Sequence, residues 1–292
     1  MKIALCNGGL GNQTFQYIFS RFIELAGGVE CYLDDSEFFQ TIPSHNGFEM
    51  QAVFPNCRPR LLSSYFSGDV WEYMVQKSEE GVSIPQQWKD AGEEFALVAE
   101  TPDFRYDGNV VRVPANEYFP WLALAKGNIY YHGYWINRDY LKEEFHEILK
   151  KELAFAPLTE EKNEMYEKRI METNSVALHV RRGDFVRCKW DMPADIYKAC
   201  VSKLRETITD PHFFIFSDDM DWCRDNLGNM GVYREEATFV EGNSGKNSYV
   251  DMQLMSYCKN IMLVTSSSFS YLATLLNRNE SISVINGTGR KV

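Results

Sequence analysis

The sequence predicts an α/β chain of two doubly wound halves, and three observations carry that expectation. Residues 2–33 read as strand, glycine-rich turn, amphipathic helix and strand. The second half alternates short apolar runs with segments of helical period. At 292 residues the chain is about twice a typical domain.

Taken in order, Lys2 to Cys6 is the first strand and Asn7-Gly8-Gly9-Leu10-Gly11-Asn12-Gln13 the turn. Phe15, Ile18, Phe19, Phe22 and Ile23 then repeat at helical spacing, and Val29 to Leu33 is the next strand. Glycines such as Gly9 and Gly11 either bring backbone against a phosphate at a helix N-terminus or simply make a tight turn. The third glycine of the dinucleotide fingerprint is missing, its place being held by Thr14, which weakens a nicotinamide reading. Residues 34–128 are expected to be mixed helix and loop, with a short helix at Val70 to Gln76. Ile129 to Trp135 reads as a strand, followed by an amphipathic helix bearing Tyr140, Leu141, Phe145 and Leu149. Aromatic residues here suit a sugar-stacking surface or, more commonly, a core. Ala154 to Thr159 interrupts the pattern before a charged helix from Glu160 to Ile170, dividing the chain into domains 1–157 and 158–292.

In the second half, Ser175 to Val180 is a buried strand that runs into Arg181-Arg182-Gly183-Asp184. A helix at Ala194 to Leu204 leads to the strand His212 to Phe216, which ends in Ser217-Asp218-Asp219. A helix at Asp221 to Leu227, a strand at Thr238 to Val240 and a helix at Tyr249 to Cys258 follow. Ile261 to Val264 is a strand ending in Thr265-Ser266-Ser267-Ser268, then come a helix through Phe269, Leu272, Ala273 and Leu276 and a last strand at Ile282 to Ile285. In a parallel sheet all three polar clusters share the carboxyl edge, where open α/β sheets bind ligands. Paired arginines there suit a diphosphate, although Arg-Arg-Asp is equally a surface ion-pair cluster. Serines at a helix N-terminus make a second anion site. Asp218 or Asp251 can accept two N–H donors from a guanine edge, or cap a helix.

Composition narrows the partners. Hydrophobic content of 45% with 24% charged residues is that of an ordinary globular protein. A net charge of -11 argues against nucleic acid as the main partner. Seven cysteines, at 6, 31, 57, 188, 200, 223 and 258, are odd in number and lack Cys-x-x-Cys or metal spacing, which points to reduced thiols in a cytosolic protein. Neither a signal peptide nor a membrane-length apolar run is visible, so a cytoplasmic location with at most peripheral membrane contact is expected.

The blocks Gly8-Gly9-Leu10-Gly11-Asn12-Gln13, His45-Asn46-Gly47-Phe48-Glu49, Gly133-Tyr134-Trp135, His179-Val180-Arg181-Arg182-Gly183-Asp184, Phe216-Ser217-Asp218-Asp219, and Asp251-Met252-Gln253-Leu254 with Ser267-Ser268-Phe269-Ser270 occur in the order of one family. On them the chain resembles the bacterial and animal α-1,2-fucosyltransferases of glycosyltransferase family 11. It departs from that pattern at Asn260, Thr265 and Tyr271-Leu272. The resemblance implies two Rossmann-like domains in a GT-B-type architecture, with GDP-fucose bound by the second and the acceptor mainly by the first, and neither cofactor nor metal. It implies inverting transfer of fucose from GDP-β-L-fucose to the 2-hydroxyl of a galactose-containing glycan. Arg181 would hold the β-phosphate, with Asp184 and Asn12 beside it in the catalytic set. Gly9, Gly11, His179, Arg182, Asp218, Asp251, Ser267, Ser268 and Phe269 would bind the donor, with Asp251 on the guanine. Glu49, Tyr134 and Trp135 would lie on the acceptor side, and Glu49 or Asp184 would serve as general base if one is used. Two alternatives stay open: another linkage or a protein acceptor, and a GDP-sugar-binding protein without catalysis.

Overall fold

In a parallel sheet both faces of a strand are covered, so its strands are short continuous apolar runs, and ten of these organise the described residues. The computed structural model describes residues 1–42, 45–101, 106–277, 279 and 282–287. They form two compact units, Met1–Ala156 and Pro157–Val292. The first holds strands β1 (Lys2–Leu5), β2 (Cys31–Asp34), β3 (Ala96–Ala99), β4 (Val110–Arg112) and β5 (Ile129–His132). All pair in parallel, in the order β2-β1-β5-β3-β4. The second holds β6 (Ser175–Val180), β7 (His212–Ser217), β8 (Ala237–Phe239), β9 (Asn260–Leu263) and β10 (Ser283–Asn286). These too are parallel, in the order β10-β9-β6-β7-β8.

The central strand β6 is buried at every residue. Its Val176, Leu178 and Val180 face Tyr197, Val201 and Leu204 of the helix Ala194–Arg205 in one apolar cluster. In the first unit, Ile3, Leu97 and Tyr130 pack with Trp71, Met74 and Val75 of the helix Gly68–Glu79.

Three details differ from the sequence reading. Residues 34–128 contain β3 and β4, where only helix and loop were expected; β3 has four residues, and β4 is a three-residue edge strand with its last two residues exposed. The strand expected to reach Trp135 stops at His132, because the chain turns sharply into a positive φ of 54° at Trp135. A six-residue helix, Gly183–Cys188, leaves the end of β6 where no helix was read. All seven cysteines are free, and Cys6, Cys31, Cys57, Cys223 and Cys258 are buried. No helix among the described residues is long and apolar enough to cross a membrane.

Candidate functional site

Parallel pairing places the carboxyl ends of β6, β7 and β9 along one edge of the second sheet. His179 is level with Phe216 and Val180 with Ser217, so Arg181 emerges beside Asp218. The Arg181 guanidinium lies 2.7 Å from Asp218 Oδ2 through Nη1 and 2.7 Å from Asp184 Oδ1 through Nη2, and it remains 30% exposed. Asp184 Oδ1 makes no hydrogen bond of good geometry despite that ion pair.

Arg182 is placed differently. Its Nε is 3.0 Å from Asp219 Oδ2, its Nη1 is 3.1 Å from Asp191 Oδ2, and its cation stacks 4.2 Å over the Trp222 ring. Its backbone N–H donates to Asp218 Oδ1 at 2.8 Å. Only 15% of the side chain is exposed, and Arg182, expected among the donor-binding residues, ties the ends of β6 and β7 together. Gly183 lets this happen: a Cβ there would lie 2.6 Å from Asp218 Oδ2. Ser217 and Asp219 also build the frame, Ser217 Oγ donating to Val180 O at 2.7 Å and Asp219 capping the helix Met220–Asn226.

His179, the next inward-facing position on β6, is buried. Burial first, and then the Arg181 cation, depress its pKa to about 4, so the imidazole is neutral near pH 7. Its ring lies 5.7 Å from that of Phe269, in the first turn of the helix Ser268–Leu275. Ser267 occupies the N-cap of that helix without a side-chain cap bond. A neutral hydrogen-bonding ring, an arginine and a serine-rich helix N-terminus therefore converge, which is a setting for an anion carrying a polar body.

Asp251 belongs to the helix Tyr249–Met255. Burial raises its pKa to about 7, against the opposing pull of Asn243 and Lys162. Asn243 Nδ2 donates to Asp251 Oδ1 at 2.9 Å, and Asn243 exchanges two 3.1 Å bonds with Asn163. A carboxyl group so poised gains from two N–H donors, the pattern a guanine edge offers.

In the first unit, Gly9 caps the helix Leu10–Gly27, which begins with buried Gly11 and the half-buried Asn12. Asn12 folds over the turn so closely that a Cβ at Gly8, where φ is +74°, would be 2.8 Å from its Nδ2. Two buried glutamines, given no role in the sequence reading, hold this turn. Gln13 Nε2 donates to Gly8 O and Gly47 O at 2.8 and 2.9 Å, and Gln16 Nε2 donates to Asn7 Oδ1 and Gly133 O at 2.9 and 3.1 Å. Glu49 is buried, accepts from the Asn46 amide at 3.0 Å and donates its own N–H to Gln13 Oε1 at 2.9 Å, and burial raises its pKa.

Trp135 calls for a correction. It is fully buried, stacked on Phe19 at 4.2 Å with rings 10° apart and edge-on to Tyr131 at 6.2 Å, so no sugar reaches it. Tyr134, by contrast, is 41% exposed. Glu100, which the sequence reading missed, fixes both by accepting the Tyr134 and Trp135 N–H groups at 2.8 Å each. Asp34 and Asp35, at the end of β2, were also missed, although carboxylates at a strand's carboxyl end are a readable signal. Both are bonded internally, Asp34 to Tyr130 Oη at 2.6 Å and Asp35 to Ser63 Oγ at 2.6 Å.

Residues 113–291 match the family model of Glycosyl transferase family 11. An alpha-1,2-colitosyltransferase of Escherichia coli is 25% identical over 280 residues, 92% of this chain and 85% of that protein. The galactoside 2-alpha-L-fucosyltransferase Sec1 of Mus musculus is 29% identical over 124 residues, 39% of this chain and 31% of that one. Among solved structures, the fucosyltransferase NodZ from Bradyrhizobium aligns with a TM-score of 0.51 at 13% identity, over 94% of this chain and 92% of that chain. That likeness shows the fold, the GT-B-type α/β architecture expected from the sequence.

Proposed function

Because the chain belongs to glycosyl transferase family 11, we propose that this glycosyltransferase moves L-fucose from GDP-β-L-fucose to the 2-hydroxyl of a β-galactoside in a glycan, with inversion. The observation that carries this reading is the placement of Arg181, partly exposed between Asp184 and Asp218 and beside the His179–Phe269 pair. As the acceptor hydroxyl oxygen bonds to the anomeric carbon and gives its proton to a general base or to solvent, the bond from that carbon to the β-phosphate oxygen breaks and negative charge gathers on the departing diphosphate. A guanidinium held in place beforehand, with N–H groups of the Ser268–Leu275 helix, stabilises that charge, and no metal is required. Asp184 and Asp218 keep the cation aimed before the donor arrives, while His179 offers a neutral hydrogen bond that does not repel Arg181.

A second reading has one specific support: the E. coli relative that covers 92% of this chain is named an alpha-1,2-colitosyltransferase. Comparing kcat/KM for GDP-fucose and for nucleotide-activated colitose, with one β-galactoside acceptor, separates the two. Preference for the fucose donor is expected; the reverse order keeps the family and the site but replaces the sugar.

Two predictions follow from particular atoms. Gly183→Ala drives a methyl into Asp218 Oδ2 and so displaces one of the two carboxylates that aim Arg181. Transfer is expected to fall by about tenfold in kcat/KM, measured by steady-state kinetics, with the melting temperature nearly unchanged. The second concerns pH. A guanine edge donating two N–H groups binds ionised Asp251, whose pKa of about 7 leaves it mostly protonated at pH 6 and mostly ionised at pH 8. The diphosphate diester of GDP-fucose does not titrate in that range, so calorimetry should show the donor binding about tenfold more tightly at pH 8 than at pH 6. Asp251→Asn should abolish that dependence, and a pH-independent affinity in the wild type would remove Asp251 from the guanine.

A further inference from the structure

We propose that Phe185 and Trp190, on the segment leaving β6, form an aromatic platform for the acceptor galactoside, with Trp190 as the contact that recognises the sugar ring. This rests on the galactoside reading above and adds to it an acceptor contact from the donor-side unit. The short helix Gly183–Cys188 ends in a specific closure: Trp190 N–H donates to Phe185 O at 2.8 Å and Lys189 N–H to Val186 O at 3.2 Å. This is the Schellman pattern, and it brings the first and last of these side chains together. The rings meet edge to face, 5.7 Å apart at 87°. Lys189 adopts φ +58°, a conformation that favours glycine, to make the closure.

The tryptophan is also pinned from the other side. Asp191, the next residue, is ion-paired to the half-buried Arg182 at 3.1 Å. Backbone bonds, an aromatic neighbour and a salt bridge thus fix a side chain that nevertheless stays 60% exposed. Burial does not account for that placement, since Trp190 covers little of its own unit's core. Its position relative to the chemistry does: Phe185 neighbours both it and Arg181, the Arg181 guanidinium being 5.8 Å from the Phe185 ring. A sugar resting on Trp190 is within the reach of a disaccharide from the group that holds the leaving diphosphate.

The polar groups around the platform suit a sugar. Asp184 and Asp191, ion-paired to Arg181 and Arg182, keep partly exposed carboxylates that accept hydroxyls, and Arg187 and Lys189 lie on the same segment. A β-galactoside also has a contiguous C–H face that lies flat on an indole. Trp190 is outside the family blocks that carry the resemblance, and its signal in the sequence, a lone tryptophan in Lys189-Trp190-Asp191, is weak without the helix that presents it.

The test is lactose binding by saturation-transfer NMR in the presence of GDP, for wild type, Trp190→Ala and Trp190→Phe, with GDP-fucose affinity of each measured by calorimetry. Trp190→Ala should weaken lactose binding by at least about tenfold and Trp190→Phe should recover most of it, while GDP-fucose affinity stays within about twofold. Equal lactose binding by wild type and Trp190→Ala overturns the proposal. So does a loss that appears in GDP-fucose affinity instead, which would make Trp190 a donor contact, or a wild-type protein that binds GDP-fucose but no lactose. A wild-type protein that binds lactose through Trp190 yet ignores GDP-fucose would refute the donor assignment and leave the platform standing.

Discussion

Arg181→Ala is expected to lower fucose transfer by about 10²- to 10³-fold, with the protein still folded. The effect comes from the step in which charge builds on the diphosphate, so it should appear in kcat as well as in donor affinity. Stability should change little: the guanidinium is 30% exposed, and ion pairs in contact with water contribute only modestly. What the substitution leaves behind, Asp184 and Asp218 facing one place without their shared cation, is relieved by solvent filling the space of the guanidinium. Arg181→Lys should restore only part of the rate, because a point-like ammonium cannot keep two carboxylates and a phosphate in one planar arrangement. Near-normal turnover by Arg181→Ala, in protein with wild-type circular dichroism, would show that another group holds the leaving diphosphate.

The second large effect is on folding. Trp135→Ala should destabilise the protein by about 3–5 kcal/mol, read from urea unfolding followed by fluorescence. The indole is fully buried against Phe19 and Tyr131, and its backbone N–H is held by Glu100. Its removal opens a cavity where the glycine-turn helix Leu10–Gly27 meets β5. For the fraction that remains folded, acceptor KM should match wild type. A stable Trp135→Ala protein with raised acceptor KM would instead return this residue to the sugar.

Strand direction explains why much of the site was legible. Once Ser175–Val180, His212–Ser217 and Asn260–Leu263 are parallel neighbours, the polar residues after each must share one edge. That reasoning needs only apolar runs and their order. The division of labour between Arg181 and Arg182 was not legible, because consecutive residues leaving a strand point to opposite sides and nothing local says which side is open. Here Asp191, Asp219 and Trp222, brought in by the fold, claim Arg182. Likewise β3 and β4 escaped notice because Ala96-Leu97-Val98-Ala99 is too short to show a period, and Val110–Arg112, at the sheet edge, is not buried enough to need one.

The linkage of the product tests the proposed reaction most directly. Wild-type protein incubated with GDP-fucose and lactose should give a trisaccharide whose NMR spectrum shows the fucose anomeric proton correlated across the glycosidic bond to C2 of galactose, with α configuration. Correlation to another carbon, or no trisaccharide from GDP-fucose while nucleotide-activated colitose is transferred, would contradict it.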